Sequence, residues 1–143
     1  MTASTELETM DRLTCEAFLA NGSVGRLAVV VGGAPHIVPV NYVAEGATIV
    51  FRTAPGTILT EASLRQVAFE VDGIDEHHRA GWSVCVHGFG REITDALDAE
   101  SRHLRDLFVD CWAPEDRDRW FKIIPQSLTG RYLNPSRRKS GRQ

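Results

Sequence analysis

Thr48-Ile49-Val50-Phe51-Arg52-Thr53-Ala54-Pro55-Gly56-Thr57 is the stretch that decides how this chain reads. β-branched and aromatic residues make Thr48 to Thr53 a strand, and Pro55-Gly56 is a turn pair. Thr57 to Arg65 is compatible with one short helix, with Ile58, Leu59, Ala62 and Arg65 on a shared face. A strand that turns directly into a helix leaves backbone N–H groups uncovered, here where Arg52, Thr53 and Thr57 gather. Cation, hydroxyls and a helix start together suit a phosphate group. The same residues also suit an ordinary surface turn, because the segment lacks the glycine pattern of a Walker loop or a dinucleotide fingerprint.

Upstream, Met10, Leu13, Ala17 and Phe18 recur at helical spacing and Asn21-Gly22 supplies a C-cap. Val24 to Val31 and His36 to Val43 read as a hairpin joined through Gly32-Gly33-Ala34-Pro35, and Glu45-Gly46 turns the chain into the decisive strand. Leu27 to Val31 does not alternate, which predicts a strand covered on both faces. Downstream, Gln66 to Asp72 is a strand, Gly73 to Ala80 a polar loop, and Trp82 to Thr94 a long strand that Gly88 and Gly90 bend or bulge. Asp98 is the expected N-cap of a helix with Leu104, Leu107, Phe108, Cys111 and Trp112 on one stripe, closed by Pro114. Trp120 to Leu133 is the last strand, with Pro125 marking an irregularity. The sum is a mainly β chain, a β-barrel with a few accessory helices.

One domain accounts for 143 residues. Residues 1–13 read as an N-terminal extension, 14–134 as the barrel and 135–143 as a tail carrying Arg137, Arg138, Lys139 and Arg142. A net charge of −3 gives no global attraction to nucleic acid. The first residues lack the basic start and apolar run of a signal peptide, and the longest apolar run, Leu27 to Val31, is far too short to cross a bilayer. Cys15, Cys85 and Cys111 lack C-x-x-C spacing and read as reduced core thiols. A cytoplasmic protein without nucleic-acid or membrane partners is the expectation.

Other chemistry has weaker support. His77 and His78 sit in an acidic loop but lack metal-site spacing. His103, Asp106 and Asp110 share a helical face, which the polar side of any amphipathic helix also provides. No nucleophile elbow, H-E-x-x-H pair or Cys-His arrangement supports hydrolysis. Trp112 and Trp120 read as packing residues, while Trp82 is open to packing or function.

The wider pattern is Val24-Gly25-Arg26-Leu27-Ala28, Pro39-Val40-Asn41-Tyr42, Phe51 to Thr57, Val67-Ala68-Phe69-Glu70-Val71-Asp72 and Gly81-Trp82-Ser83-Val84. In this order and spacing it resembles the FMN-binding split-barrel family related to pyridoxamine 5′-phosphate oxidase, in the branch that includes nitroimidazole-resistance proteins and small actinobacterial proteins. The resemblance covers Thr14 to Leu133. It implies a homodimer with FMN in a groove between subunits. Arg52, Thr53, Ala54, Thr57 and Ile58 would form the phosphate turn, Pro39, Val40, Asn41 and Tyr42 would line the ring, and Trp82 and Ser83 would meet it from the adjoining wall. It further implies an oxidoreductase acting on a small organic donor or acceptor. The alternative is a non-enzymatic binder of flavin, deazaflavin or a haem-type ligand. One departure stands out: the family commonly has Lys after the position of Thr57, and here it is Ile58. Losing one charge-assisted contact weakens phosphate binding by about 1.5–3 kcal/mol, roughly ten- to a hundredfold. Arg65 is the residue that could compensate.

Overall fold

A computed structural model of the chain describes residues 6–94, 98–113 and 117–134. Asp11 caps the first helix, α1 (Arg12–Asn21), by accepting the Thr14 N–H at 2.8 Å, and Gly22 closes it by donating to the Leu19 carbonyl. Strands β2 (Val24–Val31) and β3 (Ala34–Glu45) form the expected hairpin, and β4 (Thr48–Thr53) follows through Gly46. Next come a 3₁₀ turn (Ile58–Ala62), β5 (Gln66–Asp75) and β6 (Ala80–Ile93). The second helix, α2 (Ala99–Arg105), and β7 (Arg119–Asn134) complete the chain. Ahead of α1, Glu6–Thr9 forms strand β1 on the end of β7.

All the strand pairings are antiparallel. The sheet order is β1-β7-β4-β3-β2-β5-β6, and β6 also pairs with β7, which closes the sheet into a barrel. Two long strands make this possible. The first half of β3 pairs with β2 and its end pairs with β4, while β7 pairs with β6 along its length and with β4 only near its start. This is the split barrel that the sequence implied. The β6–β7 register slips between His87 and Gly88, opposite Pro125, so glycine and proline do mark a bulge where a ladder donor is dispensable.

Inside lies one main core that includes Leu27, Val29, Ile49, Phe51, Phe69, Val84, Phe121 and Ile123, with Phe51 and Phe121 stacked at 5.5 Å. Helix α1 plugs one end with Cys15 and Leu19, and the buried Tyr42 hydroxyl donates to the Leu19 carbonyl at 2.6 Å. Burial pushes that phenol up to about 12. A smaller cluster of Val50, Ile93, Leu104 and Val109 packs on the other side of β4.

Several sequence expectations change. Glu6–Thr9, within the segment read as an N-terminal extension, pairs with β7 as β1, and the short helix read over Thr57 to Arg65 is a 3₁₀ turn at Ile58–Ala62. In this single chain β2 alternates: Leu27 and Val29 enter the core, whereas Val30 is 52% exposed. The predicted helical stripe from Leu104 to Trp112 does not form, because α2 stops at Arg105. Residues 106–113 instead alternate, with Leu107, Val109 and Cys111 turned toward the smaller cluster and Phe108, Asp110 and Trp112 outward. A helix would carry Val109 away from Leu104 and Leu107, and among residues 106–113 Val109 is the one this cluster buries. Pro114, the expected helix stop, and the basic tail lie outside the described residues.

Candidate functional site

The turn after β4 is tied across its neck. Thr53 is fully buried, its Oγ1 lies 2.7 Å from that of Thr57, and each hydroxyl reaches the Ala54 carbonyl at 3.3 Å. Gly56 has φ +81°, the left-handed value that a Pro-Gly turn requires at its third position. Leu59 and Ala62 are buried and hold the 3₁₀ turn on the barrel. Beyond it, Leu64 donates to the Gly90 carbonyl at 2.8 Å and Gly90 donates to the Arg65 carbonyl at 2.9 Å. A Cβ on Gly90 would meet the Ala62 carbonyl oxygen at 2.1 Å, so only glycine lets the turn seat this closely.

Beside this turn lies a cavity of about 220 Å³, walled by Val38, Pro39, Val40 and Asn41 of β3, Arg52 of β4, and Thr57, Ile58 and Leu59. Cys111, Ala113 and Arg117 complete it. Arg52 is held rigidly: Nε donates to the Arg117 carbonyl at 2.8 Å, and the guanidinium lies 5.0 Å over the Trp120 ring. Its two Nη groups make no hydrogen bond among the described residues. Two arginines together with Pro39, Val40, Ile58 and Leu59 around one cavity can take an anionic group attached to an apolar, flat body, while the Thr57 hydroxyl, like that of Thr53, is engaged within the turn.

Pro39, Val40, Asn41, Arg52, Thr57 and Ile58 therefore meet as the sequence implied. The remaining predicted residues stand elsewhere. Tyr42 is buried against Phe69, and the Thr53 hydroxyl is occupied within the turn, so both support the wall from behind. Ala54 offers its carbonyl to both threonines and does not line the cavity. Trp82 and Ser83 line a second cavity, of about 530 Å³, with Asp72, Ile74, Arg131 and Leu133. Register explains the separation: Arg52 faces Trp120 at the start of β7, whereas Trp82 faces Tyr132 at its other end. The Trp82 ring packs on Phe18 of α1 at 4.3 Å. Arg65 is held by Glu61 and the Val30 carbonyl and does not line the cavity, so it does not replace the missing lysine. Sequence reasoning missed Val38, Leu59, Cys111, Ala113 and Arg117. The available signal for Arg117 was its place just ahead of the last strand, where pairing of Arg119 with Thr53 delivers it to the turn.

The family model described as pyridoxamine 5′-phosphate oxidase matches residues 11–132. The chain belongs to this family. An uncharacterized protein of Mycobacterium tuberculosis is 30% identical over 131 residues, covering 87% of this chain and 84% of its own. The solved structure of the FAD binding protein from Mycobacterium smegmatis has 30% identity and a TM-score of 0.69, covering 89% of this chain and 98% of that one. A conserved protein of unknown function from Corynebacterium diphtheriae has 30% identity and a TM-score of 0.70, covering 87% and 96%.

Elsewhere on this pyridoxamine 5′-phosphate oxidase family member, the other candidates resolve into local pairs. His103 bonds Glu45 of β3 at 2.7 Å, and that bond and charge raise its pKa. The predicted face with Asp106 and Asp110 is lost with the helix. His78 bonds Asp75 within the β5–β6 turn. Cys15, Cys85 and Cys111 are free thiols, but only Cys15 is core: Cys85 lies 3.8 Å from His87, and Cys111 lines the cavity. No helix among the described residues is long and apolar enough to cross a membrane.

Proposed function

We propose that this chain binds a flavin nucleotide in the Arg52 cavity and uses it to pass hydride or electrons between a nicotinamide-type donor and a small, flat organic acceptor. The observation that carries the reading is the rigid Arg52 fork beside Arg117 and Thr57, opening on the apolar wall of Pro39 and Val40. The donor set suits a phosphate and the wall suits an isoalloxazine ring. Bound flavin would supply the redox chemistry, and the protein would hold the phosphate, orient the ring and exclude water from one face.

A cavity of about 220 Å³ falls below the roughly 300–1,000 Å³ of complete ligand sites. Ile37, 72% exposed, stands beside the cavity wall on β3, and Val30 is half exposed on β2. A homodimer accounts for both features: a second copy would cover these side chains and bring its own Trp82 and Ser83 toward the ring. FMN is the coenzyme expected from the sequence, and the M. smegmatis relative described as FAD-binding makes FAD the second titrant.

Ile58 favours a second reading, a binder of flavin, deazaflavin or a haem-type ligand without turnover, since an apolar wall in place of a lysine suits an exchangeable ligand. Visible absorption of freshly purified protein, titration with FMN and FAD, and anaerobic addition of a nicotinamide donor followed by a quinone separate the readings. Bleaching followed by reoxidation supports the oxidoreductase. Stable colour without turnover supports the binder, and failure of every flavin to bind overturns both. Sedimentation during the titration tests the dimer.

A further inference from the structure

The larger cavity, about 530 Å³, is a groove on the outside of the barrel between β1 and the β5–β6 hairpin. Val71, Val84 and Gly130 are buried, so the residues that alternate with them, Asp72, Ile74, Gly81, Ser83, Arg131 and Leu133, face outward. Strand register sorts the lining into two rows. Leu7, Leu133, Gly81 and Ile74 lie side by side across four strands, and Arg131, Ser83 and Asp72 form the next row. The first row is apolar and open, with Leu7 58%, Ile74 69% and Leu133 40% exposed. Gly81 leaves a slot in its middle that no side chain fills without strain, since a Cβ there would meet the Gly73 carbonyl oxygen at 2.9 Å and Ile74 Cδ1 at 3.3 Å. In the second row Asp72 accepts from Arg26 at 3.3 Å, whereas Arg131 makes no hydrogen bond or ion pair among the described residues.

We propose that this groove binds the acceptor, and that the acceptor is a small aromatic carboxylate, its carboxylate on Arg131 and Ser83 and its ring over Gly81 between Ile74 and Leu133. This rests on the flavin reading above and names its substrate class: a second copy that brings Trp82 and Ser83 to the ring brings the groove with them. Arg131 and Leu133 stand two residues apart on one strand, roughly 7 Å, the length of a one-ring acid. A guanidinium without a carboxylate partner, with a hydroxyl beside it, takes a carboxylate through charge-assisted hydrogen bonds, and the apolar row takes the ring out of water. The volume suits a complete small-molecule site, which runs to roughly 300–1,000 Å³. The acids of the groove do not reverse the sign at Arg131. Asp72 is held by Arg26, Asp75 by the backbone and ring of His78, and Glu76 shares its turn with the oppositely charged Arg79. All three acids lie on or just after β5, two strands away from Arg131 on β7.

The test titrates naphthoate, naphthamide and naphthylmethylammonium into wild type, Arg131→Gln and Ile74→Ala by calorimetry. It then follows reoxidation of the flavin-loaded, nicotinamide-reduced protein by a naphthoquinone propionate and by its methyl ester, each quinone gaining two electrons and two protons to become the quinol. Naphthoate should bind wild type more tightly than naphthamide. Arg131→Gln should weaken naphthoate about ten- to a hundredfold and leave naphthamide within about twofold. Ile74→Ala should weaken both alike, by about three- to tenfold. Both side chains are exposed, so neither substitution reaches the core. In turnover Arg131→Gln should raise KM for the propionate about ten- to a hundredfold with kcat nearly unchanged, and leave the ester unaffected. Naphthamide binding as tightly as naphthoate, tighter binding of naphthylmethylammonium, or naphthoate affinity untouched by Arg131→Gln overturns the carboxylate site. An unchanged KM for the propionate in Arg131→Gln overturns the acceptor role while the flavin reading stands. Wild-type protein that takes naphthoate but no flavin overturns the flavin reading, and the acceptor role with it.

Discussion

Arg52→Ala tests the cavity most directly. In the folded chain the guanidinium is fixed through Nε on the Arg117 carbonyl and by its position over Trp120, so its Nη donors meet an incoming phosphate without further ordering of the side chain. Removing them deletes a charge-assisted contact of about 1.5–3 kcal/mol, which corresponds to roughly ten- to a hundredfold in flavin affinity. The same substitution also removes one hydrogen bond and one cation–π contact, lowering stability by about 1–2 kcal/mol. Arg52→Lys keeps the charge but not the fork and should fall between wild type and alanine. The assay is flavin affinity by fluorescence quenching at two salt concentrations, with urea denaturation beside it to separate binding from folding. Wild type should lose affinity as salt rises, and Arg52→Ala should show a shallower dependence. A variant that binds flavin within twofold of wild type, with unchanged salt dependence, would refute the placement of the phosphate.

Ile58→Lys adds the cation the family commonly carries and should raise flavin affinity about tenfold; calorimetry showing no gain would mean that residue 58 does not face the phosphate. Gly90→Ala forces a methyl onto the Ala62 carbonyl, with an expected cost of about 1–3 kcal/mol in urea denaturation and weaker flavin binding as the turn shifts. Burial, and then the neighbouring Asp72, push the Glu70 carboxyl from 4.5 up to about 7 against the pull of Arg26. Because its folded pKa lies above its unfolded one, the stability linked to its proton is complete below about pH 4.5 and is lost as pH rises through about 7. After allowance for solvent screening the change is about 1–2 kcal/mol, and Glu70→Gln should flatten it; a variant with the wild-type pH slope in denaturant titrations would show that another group carries the linkage.

Much of the architecture is written locally. The β-branched runs, the turn at Pro55-Gly56, the caps at Gly22 and Asp98 and the bulge at Gly88 opposite Pro125 are all legible, because each depends on a few adjacent residues and on backbone sterics. Residues 106–113 show the limit of periodicity. Their apolar spacing suits a helix as well as an extended segment, and burial of Val109 beside Val50 and Ile93, both distant in sequence, decides between them.

The sequence by itself determined the family, six of the seven strands and the Arg52 turn, since these follow from local pattern and from the order of motifs along the chain. Only the tertiary structure decided which side chains converge. Register on β7 carries Trp82 and Ser83 to the end opposite Arg52, and pairing of β4 with β7 brings Arg117 to the cavity. Packing of the 106–113 segment brings Cys111 to the same cavity. Convergence depends on contacts between residues far apart in the chain, which no local window of sequence contains.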